Sequence, residues 1–323
     1  MKKFNLVDLH CDTLMELYLK HQTLENATGH INLEKLQKGG SMVQSFAIFI
    51  PTHQSAERSG VTEDPYSYFC HVADIFDREM AAYSDVIRPV TTVEQMRKNA
   101  QEGKLSALLT VEDGVAVDGK IERVQEFYDR GVRMIALTWN YENSIGYPNS
   151  SDPEKHMLGL KPFGLEVIAK MDELGMVIDT SHLSEGGFWD IVKHGKKPFI
   201  ASHSCARALC DHRRNLTDEQ LRALGEKGGV CGVNFYDNFL HQPEDGYTTV
   251  EDIVRHAKYI ADKAGIDAVA LGSDFDGIGS KLEFGDFGGM GMVVDALAKS
   301  FSSADVDKIC HGNALRVFEE VIG

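Results

Sequence analysis

No two cysteines of this chain stand in CxxC spacing. The six, Cys11, Cys70, Cys205, Cys210, Cys231 and Cys310, are scattered over 323 residues. This argues against a cysteine-based zinc finger and against a small disulfide scaffold, and leaves most of the thiols as small buried hydrophobes. An excess of positive charge is missing too. Lys and Arg total 33 against 49 Asp and Glu, a formal charge of −16 with a pI near 5.2. Such a surface repels phosphate backbones, so nucleic acid is not expected as a partner. No apolar stretch reaches the roughly 18 residues that a membrane-spanning helix needs. The opening "MKKFNLVDLHCDTL" has two lysines, as a signal peptide would, but Asp8, His10 and Asp12 interrupt its apolar run and no small-residue cleavage site follows. The closing "RVFEEVIG" lacks the hydrophobic tail of a lipid-anchor signal. A cytoplasmic protein with no membrane partner is the expectation. Internal repeats, low-complexity tracts and linkers are also absent, so a single domain over 1–323 is the simplest organisation.

What is present is an alternation. With 43% hydrophobic residues the chain can bury a large core. About eight short apolar runs recur, at 4–12, 42–50, 106–113, 132–140, 175–183, 198–204, 229–235 and 268–277, each followed by a turn and a helical stretch. The segment "GLEVIAKMDELG" (164–175) roughly follows the i, i+3, i+4 rule before Gly175 stops it. Thr217 with Gln220, and Thr248 with Glu251, have capping-box spacing and predict helix starts. The repeated β-then-α order predicts an α/β protein, a (β/α)8 TIM barrel with additional C-terminal helices over 286–323; an open doubly wound sheet is the competing arrangement. Residues 51–84 and 140–163 exceed the minimal unit and are expected to shape a pocket over the barrel mouth.

The polar residues fall at the ends of these runs. The first ends in His10 and Asp12, the third in Glu112 and Asp113, the fifth in His182, the sixth in His203 and the eighth in Asp274 and Asp276. In a parallel barrel all C-terminal strand ends meet on one face, so these groups converge. Imidazoles and carboxylates bind zinc and similar ions. His10, Asp12, Glu112, His182 and His203 are too many for one ion and suit two, with a two-oxygen carboxylate as the bridge. Either Glu112 or its neighbour Asp113 could fill that place. A hydroxide held between two cations can attack a carbonyl carbon at neutral pH, which points to hydrolysis. Asp276 reads as turn chemistry, Cys11 as a packing residue on the opposite strand face, and His156 as a loop residue. The remaining histidines stand in helical or loop contexts and are set aside.

At these residues the chain resembles the renal (membrane) dipeptidase family, peptidase family M19 of the amidohydrolase superfamily, over nearly its whole length. "DLHCDTL", "TVEDG", "GMVIDTSHLS", "PFIASHS" and "LGSDFDG" are similar to its motifs in order, and "RRN" at 213–215 follows in step. The resemblance implies two Zn2+ ions per chain, one on His10 and Asp12, the other on His182 and His203, bridged by Glu112. It implies that Asp274 exchanges protons with the attacking water and the leaving amine, and that Arg214 pairs with the terminal carboxylate of a dipeptide substrate. One position departs: where well-known members have a histidine after the fourth strand, this chain has Trp139, with Asn140 next to it as a substitute donor. The implied activity is that of a zinc metallodipeptidase. The rivals are another hydrolase on the same barrel (lactonase, deaminase or phosphoesterase) and a non-catalytic peptide-binding barrel. A homodimer is the default assembly on grounds of symmetry alone.

Overall fold

Short β-branched runs that are buried on both faces can only be satisfied inside a sheet covered on each side, and here that sheet closes on itself. The computed structural model describes residues 5–243 and 245–323; Phe4, the first residue of the first predicted run, lies outside the described residues. In chain order the strands are β1 (Leu6–Asp8), β2 (Ser41–Phe49), β3 (Ile87–Val90), β4 (Leu105–Glu112), β5 (Met134–Ala136), β6 (Val177–Asp179), β7 (Ile200–Ser204), β8 (Val230–Val233), β9 (Tyr247–Thr248), β10 (Val269–Leu271) and β11 (Lys281–Leu282). The ring runs β1, β2, β4, β5, β6, β7, β8, β10 and returns to β1 through Asp8 against Leu271, every pair parallel. This is the (β/α)8 barrel, and its eight strands are the eight apolar runs of the sequence. The open doubly wound sheet is excluded by the closure.

Two strand pairings were not anticipated. β3, "IRPV", pairs with the first half of β4 alone, as a proline-containing strand must at an edge. β9 and β11 form a separate two-residue ladder.

Side-chain alternation sorts the core into two layers. Val7, Met134, Val177, Ile200, Val230 and Ala270 cluster with Val317, Phe318 and Val321 of the last helix, Asn313–Ile322. Their strand neighbours Leu6, Ile135, Ile178, Ala201, Cys231 and Val269 pack outward in the larger cluster. The last helix thus plugs one end of the barrel, and Val93 N–H donates to the Gly323 carbonyl at 2.9 Å. The opposite end is left for polar groups.

The helices mostly follow the sequence signals. Pro162–Leu174 stops at Gly175, whose φ of 76° suits glycine. Asp218–Glu226 carries the Thr217–Gln220 capping box. The second predicted box is displaced by one residue: Thr249 with Asp252 caps Val250–Ala264, because Thr248 is committed to β9 and donates its hydroxyl to the Phe235 carbonyl. Residues 51–84 hold the helices His53–Ser59 and Pro65–Ala82, whereas 140–163 holds the single turn Pro153–His156 before the helix Pro162–Leu174 begins. Among the described residues, no helix is long and apolar enough to cross a membrane.

One core histidine predicts an acid limit. His256 is fully buried, lies 2.8 Å through Nε2 from the Leu240 carbonyl, and accepts the Ala206 N–H through Nδ1. Burial, more than any neighbouring charge, pushes its pKa down to about 4. A histidine that titrates lower when folded than when unfolded leaves stability intact above about pH 6.5 and removes it as pH falls toward 4. The loss is up to about 3 kcal/mol. Denaturation midpoints measured from pH 7 to 4 should therefore fall more steeply for the native protein than for His256→Gln, and parallel curves would refute the assignment.

Candidate functional site

Glu112 is the last residue of β4, and its two oxygens face different ways. Oε1 lies 2.9 Å from His182 Nε2 and 3.4 Å from His203 Nε2, while Oε2 lies 3.5 Å from His10 Nε2. His10 Nε2 is also 3.5 Å from Asp12 Oδ2 and 3.9 Å from Asp274 Oδ1. The two later imidazoles approach each other at 3.1 Å between their Nε2 atoms. Six residues from five separate segments of the chain thus converge at the C-terminal rim.

Only two of the six sit inside strands. Glu112 and His203 belong to β4 and β7, but β1 ends at Asp8, β6 at Asp179 and β10 at Leu271. His10 and Asp12, His182 and Asp274 therefore stand in the loops just beyond, a correction to the reading that placed them at the strand ends themselves. His182 and Asp274 have φ of 68° and 62°, a left-handed conformation that non-glycine residues seldom adopt and that clusters at functional sites. Hydrogen bonds hold both bends. The His182 carbonyl accepts from the Asn149 backbone N–H at 2.7 Å, and Asp274 N–H donates to the His10 carbonyl at 3.2 Å.

The electrostatics are those of a site short of positive charge. Burial and the neighbouring Glu112 charge push Asp12 up to about 7. Burial, with Glu112 acting against the attraction of His10, pushes Asp274 up to about 6. Glu112 is held well below the usual carboxylate range: burial opposes this, but the His10 charge and the surrounding imidazoles outweigh it. His10 is raised well above the ordinary imidazole value, since Glu112 and Asp12 overcome its burial. Burial, then the Arg214 charge, lowers His182 to about 4; burial, then the His10 charge, lowers His203 well below its ordinary value. Among the described residues, His10 Nε2 and Asp12 Oδ1 are buried without a hydrogen-bond partner. The imidazoles of His182 and His203, held neutral, a third imidazole among three crowded carboxylates, and buried ring and carboxylate atoms without a hydrogen-bond partner are a donor set that fits divalent cations. Within this cluster two trios of the described residues gather within ligand range, His10 with Glu112 and His203, and His10 with Asp12 and Asp274.

Around this cluster lies a cavity of ≈ 300 Å³, walled by Met15, Phe49, Trp139, Tyr236, Phe239 and Ile278. Of the two long insertions expected to shape it, 140–163 contributes Asn140 and 51–84 contributes no lining residue. The wall comes instead from Phe49 at the end of β2 and from residues in the loops and short helices that follow other strands, where position alone was the available signal. Trp139 stacks edge-on against Phe49 with ring centroids 4.8 Å apart, and Asn140 Oδ1 lies 3.2 Å from His182 Nδ1. Sequence reasoning also missed Asn234, whose amide donates to Asp274 Oδ2 at 2.8 Å.

Arg214 is buried behind the cavity, where it lines a small space of ≈ 10 Å³ shared with His182. Its Nη atoms reach Ser204 Oγ at 3.3 Å and the His203 carbonyl at 3.2 Å, and its Nε is buried without a partner among the described residues. The competing or discounted residues have structural partners. Asp113 accepts from the Asn143 amide and the Val115 N–H. Asp276 accepts from Thr13 Oγ1 and the His30 N–H. His156 Nδ1 accepts from the Ser150 N–H, and Cys11 Sγ faces the Ser45 carbonyl on the outer layer.

Comparison with known proteins agrees with this architecture. An uncharacterized protein in the pqqA 5' region of Klebsiella pneumoniae is 36% identical over 270 residues, spanning 81% of this chain and 98% of that protein. The crystal structure of dipeptidase AC, a metallopeptidase of family M19, superposes with a TM-score of 0.89 at 25% identity, covering 100% of both chains. A metallopeptidase from Rhodobacter sphaeroides, liganded with a phosphinate mimic of the dipeptide L-Ala-D-Ala, superposes with a TM-score of 0.89 at 24% identity, covering 99% of this chain and 100% of that one. The match to the family itself extends over residues 1–322, and the chain belongs to the membrane dipeptidase family, peptidase family M19.

Proposed function

We propose that the protein is a dinuclear metallodipeptidase, with His10 and Asp12 holding one divalent ion, His182 and His203 the other, and Glu112 bridging them. The observation that carries this reading is the split of the Glu112 carboxylate, one oxygen toward His182 and His203 and the other toward His10. Two divalent ions, zinc first among them, would supply a water of lowered pKa and positive charge for the developing oxyanion.

The chain's own residues do the rest. Asn234 engages Asp274 Oδ2 and leaves Oδ1 turned toward His10 and the cavity. As water oxygen bonds to the peptide carbonyl carbon, its proton passes to Asp274 Oδ1; as the C–N bond breaks, that proton goes to the departing amine nitrogen. The unpartnered Nε of Arg214 suits the substrate's terminal carboxylate, and its guanidinium remains charged throughout. Trp139 and Phe49 supply the apolar wall against which the dipeptide is oriented, in a cavity at the small end of the range for ligand pockets. The dipeptide mimic bound by the Rhodobacter sphaeroides structure belongs to the same substrate class.

Metal content and hydrolysis of L-Ala-D-Ala, L-Ala-L-Ala and a lactone should be measured on the purified protein before and after chelation. Two divalent ions per chain are expected, together with dipeptide turnover that chelation removes and zinc restores. Full dipeptidase activity in metal-free protein, or turnover of the lactone alone, would overturn the reading.

A further inference from the structure

Ser202 and His203 are neighbours in β7, and on a regular strand their side chains would point to opposite faces. Counted from the inward Ile200, strict alternation would turn His203 outward. The pairing of β7 with β8 slips between Ala201 and Ser204, and a slip of this kind re-aims a side chain. Here it brings Ser202 Oγ to 2.7 Å from His203 Nδ1.

The proton count of this contact has one solution. A hydroxyl has one proton to give and two lone pairs to receive with. The Ser202 proton goes to Asp179 Oδ2, while Asp179 Oδ1 takes the backbone N–H groups of Ser181 and Ser202, each at 2.9 Å. Ser181 Oγ accepts the His203 N–H at 3.1 Å and lies 3.2 Å from Ser202 Oγ, so its own proton also turns toward Ser202. Ser202 has no second proton, and toward His203 Nδ1 it can only accept.

We propose that Asp179, acting through Ser202, locks His203 in the Nδ1–H tautomer and so keeps the Nε2 lone pair aimed at the site, 3.4 Å from Glu112 Oε1 and 3.1 Å from His182 Nε2. Asp179 and Ser202 are positioning residues. They are fully buried around an imidazole that is itself 0% exposed, so water cannot take over the role. The reading of His203 as a metal ligand enters only through the affinity arm of the test; the tautomer is a property of the metal-free protein.

Asp179→Asn gives the directional test. The amide oxygen must stay on the two backbone N–H groups, which turns the amide nitrogen to Ser202; Ser202 then gives its proton to His203 Nδ1, and the ring is driven to the Nε2–H form. Ring nitrogen shifts of ¹⁵N-histidine protein should show His203 as Nδ1–H in the native chain and as Nε2–H in Asp179→Asn. Zinc affinity by chelator competition should fall roughly ten- to hundredfold, the usual effect of losing an outer partner of a ligating histidine. Ser202→Ala, which removes only the hydroxyl, should abolish the single-tautomer state with a loss on the same scale. Retention of Nδ1–H in both variants, or in Ser202→Ala alone where Asp179→Asn does not fold, overturns the proposal. A native protein that binds no zinc would sink the dipeptidase reading while leaving the tautomer reversal to decide this one.

Discussion

Glu112→Gln is expected to lower dipeptide hydrolysis by roughly 10³-fold or more, the upper scale for losing one preorganised electrostatic group, and to weaken divalent metal uptake on both sides of the carboxylate. The substitution preserves volume and position at the end of β4, so the barrel should fold. It removes the charge shared by the two halves of the cluster and replaces one acceptor with an N–H donor facing imidazoles, where a ligand atom is required. The raised His10 pKa depends in part on Glu112, so the variant histidine should also titrate closer to its ordinary range. Asp113→Asn is the contrast. Its carboxylate is occupied by Asn143 and Val115, and burial already pushes it up to about 7, so its loss should change stability and leave metal stoichiometry intact. Elemental analysis after dialysis, paired with kcat/KM on one dipeptide, separates the two. If Glu112→Gln kept the native metal content and turnover, the chemistry would have to lie elsewhere.

Gly272→Ala is expected to destabilise the fold by about 3 kcal/mol, the upper end for forcing atoms into a filled interior. A Cβ at Gly272 would sit 1.7 Å from the Ser202 carbonyl oxygen and 3.3 Å from the Gly232 Cα. At Gly232 the corresponding Cβ would sit 2.0 Å from that same oxygen. Both glycines stand two residues beyond an inward-facing one, Ala270 and Val230, so they line the interior where the slipped segment of β7 bulges in. The obstructing atom is backbone and cannot rotate away, and β7 must shift as a whole, carrying His203 with it. Metal uptake should therefore weaken along with stability. At Gly279 a Cβ would meet nothing within 4 Å. Gly279→Ala should accordingly stay within about 0.5 kcal/mol of the native protein. Chemical denaturation of the three proteins under identical conditions tests this, and equal midpoints would mean that the strands do not approach as closely as described.

The barrel strands were legible because burial on both faces leaves a mark in composition: "MVQSFAIFI" and "SALLTVED" can hardly be anything but central strands. β3 was not legible. Four residues with an arginine and a proline carry no periodicity, and only the backbone edge of the first half of β4, which β5 leaves open, makes them a strand. The capping box at Thr217 could be read from spacing, whereas the one at Thr248 was misread by one residue because Thr249 and Asp252 offer the same chemistry one step later, and a tertiary ladder decided between them. Pocket walls fared worst. Phe49 and Tyr236 look like core residues until the rim is assembled.

The sequence alone determined which chemical groups the protein has and that they lie near the ends of apolar runs, because residue identity and strand period are local properties. It could therefore specify a parallel barrel, and name His10, Asp12, Glu112, His182, His203 and Asp274 as the groups to watch. Only the tertiary structure decided how they face one another. Closing the ring sets the distances across its mouth, the left-handed turns at His182 and Asp274 swing side chains inward from beyond the strand ends, and the slip in β7 reverses an alternation that the chain by itself would follow. Each of these depends on what a neighbouring strand permits, such as the missing side chains of Gly232 and Gly272 beside Ser202, and pairwise fit between distant segments is not written in either segment alone.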